Sequence, residues 1–197
     1  MTPPASKPIP WYAVLCILAV YTTCYLAMSQ MPLVHYTIPF LPYENRIPFL
    51  PWTFIIYISA YAQYFLCLYR MPQSFLRRAA PLLVIIVLIA FAFFVIFPVQ
   101  YPRATYEATG IWGLLQKADG GNNCFPSLHV TVAIALAYCY SLVEKKTLLK
   151  VLMWLWVIAI MISVLTTKQH YLIDVGGGML LSGLFCWMIK REMKKLL

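Results

Sequence analysis

Two short motifs carry the residues of this chain that could do chemistry. The first runs from Phe125 to His129 and includes Ser127, and the second runs from His170 to Asp174. His170 and Asp174 are four residues apart, so both side chains share a face if this segment is helical. The carboxylate can then hold a proton on one imidazole nitrogen and leave the other as a lone-pair donor. With His129 as a proton donor, this pattern predicts phosphoryl transfer to histidine.

Four residues near these motifs are candidates for holding phosphoryl oxygens. Ser127 offers a hydroxyl, Arg103 a planar fork and Lys168 a point charge, and Lys117 is a further candidate. Proline suits the first turn of a helix and one precedes Ser127, while His170 opens a later apolar run. We therefore expect both motifs at helix N-termini. Such ends present free N–H groups and a partial positive charge, which predicts a phosphate pocket.

The composition is that of an integral membrane protein. Of the 197 residues, 62% are hydrophobic and 11% are charged, whereas a soluble domain averages about 25% charged residues. The net charge of +9 does not indicate a nucleic-acid partner, because most lysines and arginines flank apolar runs. In that position they set membrane topology and face anionic lipids. We expect the bilayer as the environment and a single domain, 1–197.

Six apolar segments are long enough to cross a bilayer as helices, which takes about 20 residues each. This predicts an all-α fold, a polytopic bundle of six transmembrane helices. Three glycines directly follow Asp174 and predict close packing of the last span. The predicted spans are 11–30, 51–69, 80–99, 126–143, 148–166 and 170–189.

The distribution of basic residues predicts the orientation of the spans. Lysines and arginines are concentrated in the N-terminus, the 70–79 loop, the 144–150 loop and the C-terminal tail. The positive-inside rule places these segments, and so both termini, in the cytoplasm of an inner or plasma membrane. The loops 31–50 and 100–125 and the 166–170 turn then lie on the outer side with both motifs. Arg103, Lys117 and Lys168 share that side, which favours an anion clamp over scattered solubilising charge.

Several interpretations of the same residues remain open. The motifs could pass a phosphoryl head group to a lipid or polyol acceptor. His129, His170 and Asp174 could be ligands of a hydrolytic zinc ion, or Asp174 could be the intramembrane charge of a transporter. His35 has no partner in the sequence and is interpreted as structural. The proline-rich 31–50 loop either guides a lipid to the site or is a stiff connector.

The two motifs together resemble those of the type 2 phosphatidic acid phosphatase superfamily. The Phe-Pro-Ser-Leu-His segment is similar to its PSxH motif, and the segment from His170 to Asp174 is similar to its HxxxD motif. Val164 stands where the third motif of the superfamily has an arginine, and Lys168 is the candidate to replace that charge. The forms Phe-Pro-Ser-Leu-His and Lys-Gln-His-Tyr are more similar to the branch of inositol phosphorylceramide synthase-like proteins.

The resemblance implies a lipid phosphatase or phosphotransferase that works through a phosphohistidine. In that mechanism His170 attacks phosphorus, Asp174 orients it and His129 protonates the leaving group, while the clamp residues hold the phosphoryl oxygens. The expected substrate is a lipid phosphate monoester or diphosphate at the outer membrane face. We expect no metal and no other cofactor, because the clamp and the helix ends can stabilise the charge. Neither the identity of the lipid nor the oligomeric state follows from the sequence.

Overall fold

The computed structural model describes residues 9–29, 31, 36–37, 41, 43–100, 108–118 and 123–194. The all-α prediction is confirmed, since the described chain is helical apart from turns and one two-residue parallel pairing of β1 (Tyr36–Thr37) with β2 (Val99–Gln100). Short 3-10 turns cover Glu44–Arg46 and Pro51–Thr53. The helices are α1 (Trp11–Ser29), α2 (Phe54–Arg70), α3 (Gln73–Ile96), α4 (Gly110–Ala118), α5 (Leu128–Val143), α6 (Thr147–Thr166) and α7 (Leu172–Lys194).

Five segments of the described chain are long and apolar enough to cross a membrane, as expected of an integral membrane protein. They contain α1, α2, α3, α6 and α7. The predicted span 126–143 corresponds to α5, which is shorter at 16 residues. This helix packs against α2, α6 and α7 and is buried along most of its length, so the other helices cover it. The count of six spans therefore stays a prediction.

The structure corrects two predicted boundaries. The segment 70–79 is mostly not a loop, because α3 begins at Gln73 and carries Arg77 and Arg78 on its exposed side. Charged residues end an apolar run without ending a helix, since arginine is a good helix former. The predicted 100–125 loop contains the short helix α4, which carries Lys117 and ends at Ala118.

The predicted outer loops meet at one end of the bundle. Leu50 N–H, just before α2, donates to Thr166 O at the end of α6, 2.9 Å away. Asn123 Nδ2, just before α5, donates to Tyr25 O near the end of α1 at 3.2 Å. The pairing of β1 with β2 adds the end of α3 to this group. Consecutive long helices therefore run in opposite directions, and both motifs lie at the same end.

Candidate active site

The second motif forms a capping turn at the start of α7. The helix begins at Leu172, two residues after His170, near which the sequence predicted its start. Asp174 is the third residue of the helix, and its Oδ2 accepts the Tyr171 N–H at 2.9 Å, as an acid in the first helical turn often does. His170 Nδ1 lies 3.4 Å from the same oxygen. The predicted pairing of His170 with Asp174 therefore forms through a capping turn, with the histidine just outside the helix.

The first motif is joined to the second by the backbone. Ser127 is the N-cap of α5, and its Oγ accepts the Val130 N–H at 3.4 Å. The hydroxyl proton of Ser127 is still available as a donor. The Ser127 N–H itself donates to the backbone oxygen of Asp174 at 3.1 Å. This bond fixes the start of α5, and so His129, relative to the turn that carries His170.

The two motif histidines lie close together in a buried site. The ring centroids of His129 and His170 are 6.2 Å apart with planes inclined by 55°. The exposed fractions are 6% for His129, 3% for His170 and 0% for Asp174. Among the described residues, His129 Nε2 and His170 Nδ1 have no hydrogen-bond partner. Buried polar nitrogens without partners are uncommon, and catalytic hydrogen bonds are often long until substrate binds.

Three tyrosines of α2 surround His129. The ring of Tyr57 stacks on the imidazole at 4.0 Å with planes 27° apart, and Tyr61 contacts it edge-on at 6.1 Å. The Tyr64 hydroxyl donates to the backbone oxygen of His129 at 3.1 Å. Sequence analysis did not identify these tyrosines. Their spacing of four and three residues places them on one helical face, and that regularity was the available signal.

Glu44 joins the 3-10 turn of the 31–50 loop to the second motif. Its carboxylate accepts the Leu41 N–H at 2.8 Å and the Leu172 N–H at 2.7 Å. Its backbone oxygen accepts a hydrogen bond from Lys168 Nζ at 3.0 Å. Although Glu44 is a carboxylate in a loop, it is only 3% exposed. Sequence analysis missed this residue, and its only signal was an acid in an otherwise apolar loop.

The candidate phosphate-binding residues differ in where the structure places them. Ser127 and Lys168 adjoin the histidines in the chain, and Lys168 is 2% exposed with its ammonium directed at Glu44. Burial lowers the pKa of Lys168, and the nearby Glu44 carboxylate opposes that shift. Lys117 is exposed on α4, and the described contacts do not join it to the histidines. Arg103, like His35, lies outside the described residues.

The N-terminus of α7 is less free than predicted. The Leu172 N–H is bound by Glu44 and the Tyr171 N–H by Asp174. At α5, the Val130 N–H is bound by the Ser127 side chain. Part of the predicted anion-binding capacity of both helix ends is therefore used within the protein. A phosphate bound at this site would therefore depend more on side-chain donors than the sequence suggested.

A sequence model described as PAP2 superfamily matches residues 48–188 of the chain, which include both motifs. The chain belongs to the PAP2 superfamily. Neither a curated protein nor a solved structure matches it. The predicted family is thus confirmed, while the assignment to the inositol phosphorylceramide synthase-like branch stays a prediction. Glu44 lies just before the matched region, so the contact with Leu172 joins a residue outside that region to the second motif.

Membership of the PAP2 superfamily supports an enzyme of the phosphatase or phosphotransferase class. The two motifs that resemble those of the superfamily lie within the matched region, and the structure brings His129, His170 and Asp174 together. Within the described ranges, no three His, Cys, Asp or Glu residues are arranged to hold a metal ion. The individual catalytic roles of these residues are taken up as a proposal below.

Replacing Gly178 with alanine is expected to separate α5 from α7. A Cβ at Gly178 would lie 2.7 Å from Ser127 O and 3.0 Å from Val130 Cβ, both at the start of α5. Because backbone cannot move away cheaply, we expect a loss of about 1–3 kcal/mol in the free energy of unfolding. Gly176→Ala is the matched control, since its Cβ would meet nothing within 4 Å. Thermal unfolding of both variants in detergent checks this, and equal melting temperatures would contradict it.

Replacing Glu44 with alanine is expected to displace the turn that holds His170. The substitution removes the acceptor of the Leu172 N–H, and loss of hydrogen bonds to a charged group costs about 1.5–3 kcal/mol. Misplacing a catalytic group by an ångström can lower the rate about 100-fold, so we expect kcat to fall about 10- to 100-fold with little change in KM. Glu44→Gln keeps one carbonyl acceptor and should recover part of kcat. Wild-type kcat in Glu44→Ala would show that the contact does not position His170.

Proposed function

We propose that this protein is an integral membrane lipid phosphatase that hydrolyses a lipid phosphate monoester or diphosphate through a phosphohistidine. The observation that carries the proposal is the approach of two buried imidazoles to 6.2 Å in a PAP2 superfamily chain. One of the two, His170, also contacts the Asp174 carboxylate. A nucleophile, an orienting acid and a second proton-transfer group are the parts that a two-step phosphoryl transfer needs.

In the first step, Asp174 Oδ2 accepts a hydrogen bond from the His170 Nδ1–H, which keeps the proton on Nδ1 and leaves the Nε2 lone pair free. Nε2 attacks phosphorus, the bond from phosphorus to the ester oxygen breaks, and a P–N bond forms. His129 gives its proton to the departing lipid oxygen, which leaves as an alcohol or, from a diphosphate, as a lipid monophosphate. Tyr57, stacked on the His129 ring, keeps the imidazole in place during this transfer.

In the second step, water attacks the phosphohistidine. His129, now neutral, takes a proton from that water, the P–N bond breaks, and His170 regains its lone pair. Inorganic phosphate leaves. Ser127, Lys168, Arg103 and Lys117 are proposed to hold the phosphoryl oxygens during both steps, with donors that supply charge stabilisation without a metal ion. A hydroxyl acceptor in place of water would turn the same cycle into phosphoryl transfer.

The proposal places the reaction at the outer membrane face. The basic residues of the 144–150 loop and of the C-terminal end of α7 lie at the end of the bundle opposite the histidines. By the positive-inside rule that end is cytoplasmic, as are both termini, and the histidines face the periplasm or exterior. The lipid phosphate then reaches the site from the outer leaflet.

The deciding experiment measures phosphate release by the purified protein from a panel of lipid phosphates and diphosphates. We expect release in water without any acceptor, and we expect it to continue in a strong chelator. Strict dependence on a lipid or polyol hydroxyl would instead identify a phosphotransferase, and loss of activity with chelator would identify a metal-dependent hydrolase. Lack of phosphate release and of transfer across the whole panel would sink the proposal.

A further inference from the structure

A cleft of about 480 Å³ lies between α1, α2, α3 and α5, within the spanning part of the bundle. This volume falls in the range of about 300–1,000 Å³ that is typical of small-molecule sites. Its lining is almost entirely apolar, and several lining side chains, such as Val84 and Leu88, are more than half exposed at the protein surface. The cleft therefore opens sideways into the hydrocarbon of the membrane.

The cleft extends along α5 towards the candidate active site. Two of its lining residues, Val132 and Leu136, follow His129 by three and seven positions, so all three lie on one helical face. At 1.5 Å per residue, Leu136 lies about 10 Å along the helix from His129. Tyr64 also lines the cleft, and its hydroxyl is bonded to the His129 backbone oxygen. One end of the cleft therefore lies near the backbone of His129, whose imidazole the proposed mechanism uses.

An aromatic side chain, Tyr61, lies beside both His129 and Tyr64, and Tyr64 lines the cleft. The Tyr61 ring contacts His129 edge-on at 6.1 Å and lies 5.8 Å from the Tyr64 ring. Its hydroxyl is hydrogen-bonded to the Thr22 side chain of α1. The polar group of Tyr61 is thus already paired with the protein, and its ring is left as an apolar surface. This surface suits a hydrocarbon chain and offers little to a sugar or glycerol head group.

We infer that this cleft binds one long apolar chain of the substrate lipid while the phosphate lies between His129 and His170. The inference rests on the proposed function, and it adds where the chain lies and what the site selects. Because the lining offers almost no polar group, binding depends on the apolar area that the chain buries. The protein should therefore prefer a phosphorylated lipid with a long hydrocarbon or isoprenoid chain over a short or soluble phosphate ester.

Two cysteines that line the cleft can be modified chemically. Cys16 and Cys24 of α1 both line it and are exposed, whereas Cys67, Cys124 and Cys139 are buried. Cys24 lies five residues before the end of α1, about 7–8 Å along the helix. Benzyl methanethiosulfonate can therefore place a benzyl group in the cleft of the folded protein. The cysteine loses its proton to the buffer, and the thiolate attacks the sulfenyl sulfur of the reagent. The S–SO2 bond breaks, methanesulfinate leaves, and a benzyl mixed disulfide remains. Dithiothreitol removes the benzyl group again.

The test compares two substrates with the same leaving group, 4-nitrophenyl phosphate and its long-chain 2-alkyl analogue. Labelling at Cys16 and Cys24, checked by peptide mass spectrometry, should lower kcat/KM for the long-chain substrate about tenfold or more. The kcat/KM for 4-nitrophenyl phosphate should change by no more than about twofold. Dithiothreitol should restore the kcat/KM for the long-chain substrate. The double variant Cys16→Ser/Cys24→Ser should resist labelling because it lacks both thiols of the cleft. Any effect of the reagent on this variant would come from another thiol, such as the half-buried Cys186.

Complete labelling that leaves the long-chain kcat/KM unchanged would overturn the inference while the proposed function stands. Equal loss on both substrates would also overturn it, because the label would then act on catalysis and not on the chain. If the unlabelled protein hydrolyses neither these substrates nor any lipid phosphate of the panel, the proposed function fails, and protection of Cys24 from labelling by bound ligands then tests the cleft. A long-chain alkyl phosphonate should slow the labelling of Cys24, whereas methylphosphonate should not. Equal protection by phosphatidylcholine would show that ordinary bilayer lipid fills the cleft, and the inference would fail.

Discussion

Replacing His170 with alanine is expected to lower the rate of phosphate release about 10⁴-fold or more, as loss of a catalytic nucleophile does. The Asp174 carboxylate is fully buried and contacts His170 Nδ1 at 3.4 Å. Alanine at position 170 leaves that carboxylate without an imidazole to orient, so the P–N bond of the intermediate cannot form.

The measurement is phosphate release from a lipid phosphate that the parent protein hydrolyses. His35→Ala is the matched control, since it removes the one histidine that lies in neither motif, and it should retain activity. The parent protein, quenched during turnover with radiolabelled substrate, should carry label that is stable in base and released in acid, as a phosphohistidine is. His170→Ala should carry none. Retained activity in His170→Ala, with a melting temperature like that of the parent, would exclude His170 as the nucleophile.

The pairing of His170 with Asp174 could be predicted from sequence, although the reason given for it was incomplete. A spacing of four residues brings two side chains together on a helix. Here the same spacing works across a helix boundary, because Asp174 caps the turn through Tyr171 N–H. Both arrangements place a carboxylate beside the imidazole. Sequence analysis could therefore identify the residues without knowing where α7 begins.

The contacts that hold this pair in place could not be predicted in the same way. Glu44 and Leu172 are 128 residues apart in the chain, and a single sequence carries no pattern that joins them. The stacking of Tyr57 on His129 joins two separate helices and depends on how α2 faces α5. Motif spacing reports local geometry, whereas these contacts depend on tertiary packing. The sequence could thus name the reacting groups but not the residues that position them.

Replacing His129 with alanine is expected to slow turnover about 100- to 10,000-fold, the usual contribution of general acid–base catalysis. The effect should depend on the leaving group. A simple alcohol leaves poorly without a proton, so both steps slow with an alkyl phosphate. A nitrophenolate leaves well without help, so the first step is largely spared with a nitrophenyl phosphate, while attack by water still lacks its base.

His129→Ala should therefore accumulate the phosphohistidine when it is given a long-chain nitrophenyl phosphate. Stopped-flow absorbance should show a burst of nitrophenolate close to one equivalent per protein, followed by slow turnover. His170→Ala should show no burst, because it lacks the nucleophile. This contrast would identify His170 as the nucleophile and His129 as the proton-transfer group, although their ring centroids are only 6.2 Å apart. A burst in His170→Ala and none in His129→Ala would reverse that assignment, and identical slow kinetics in both would leave neither residue with the role proposed here.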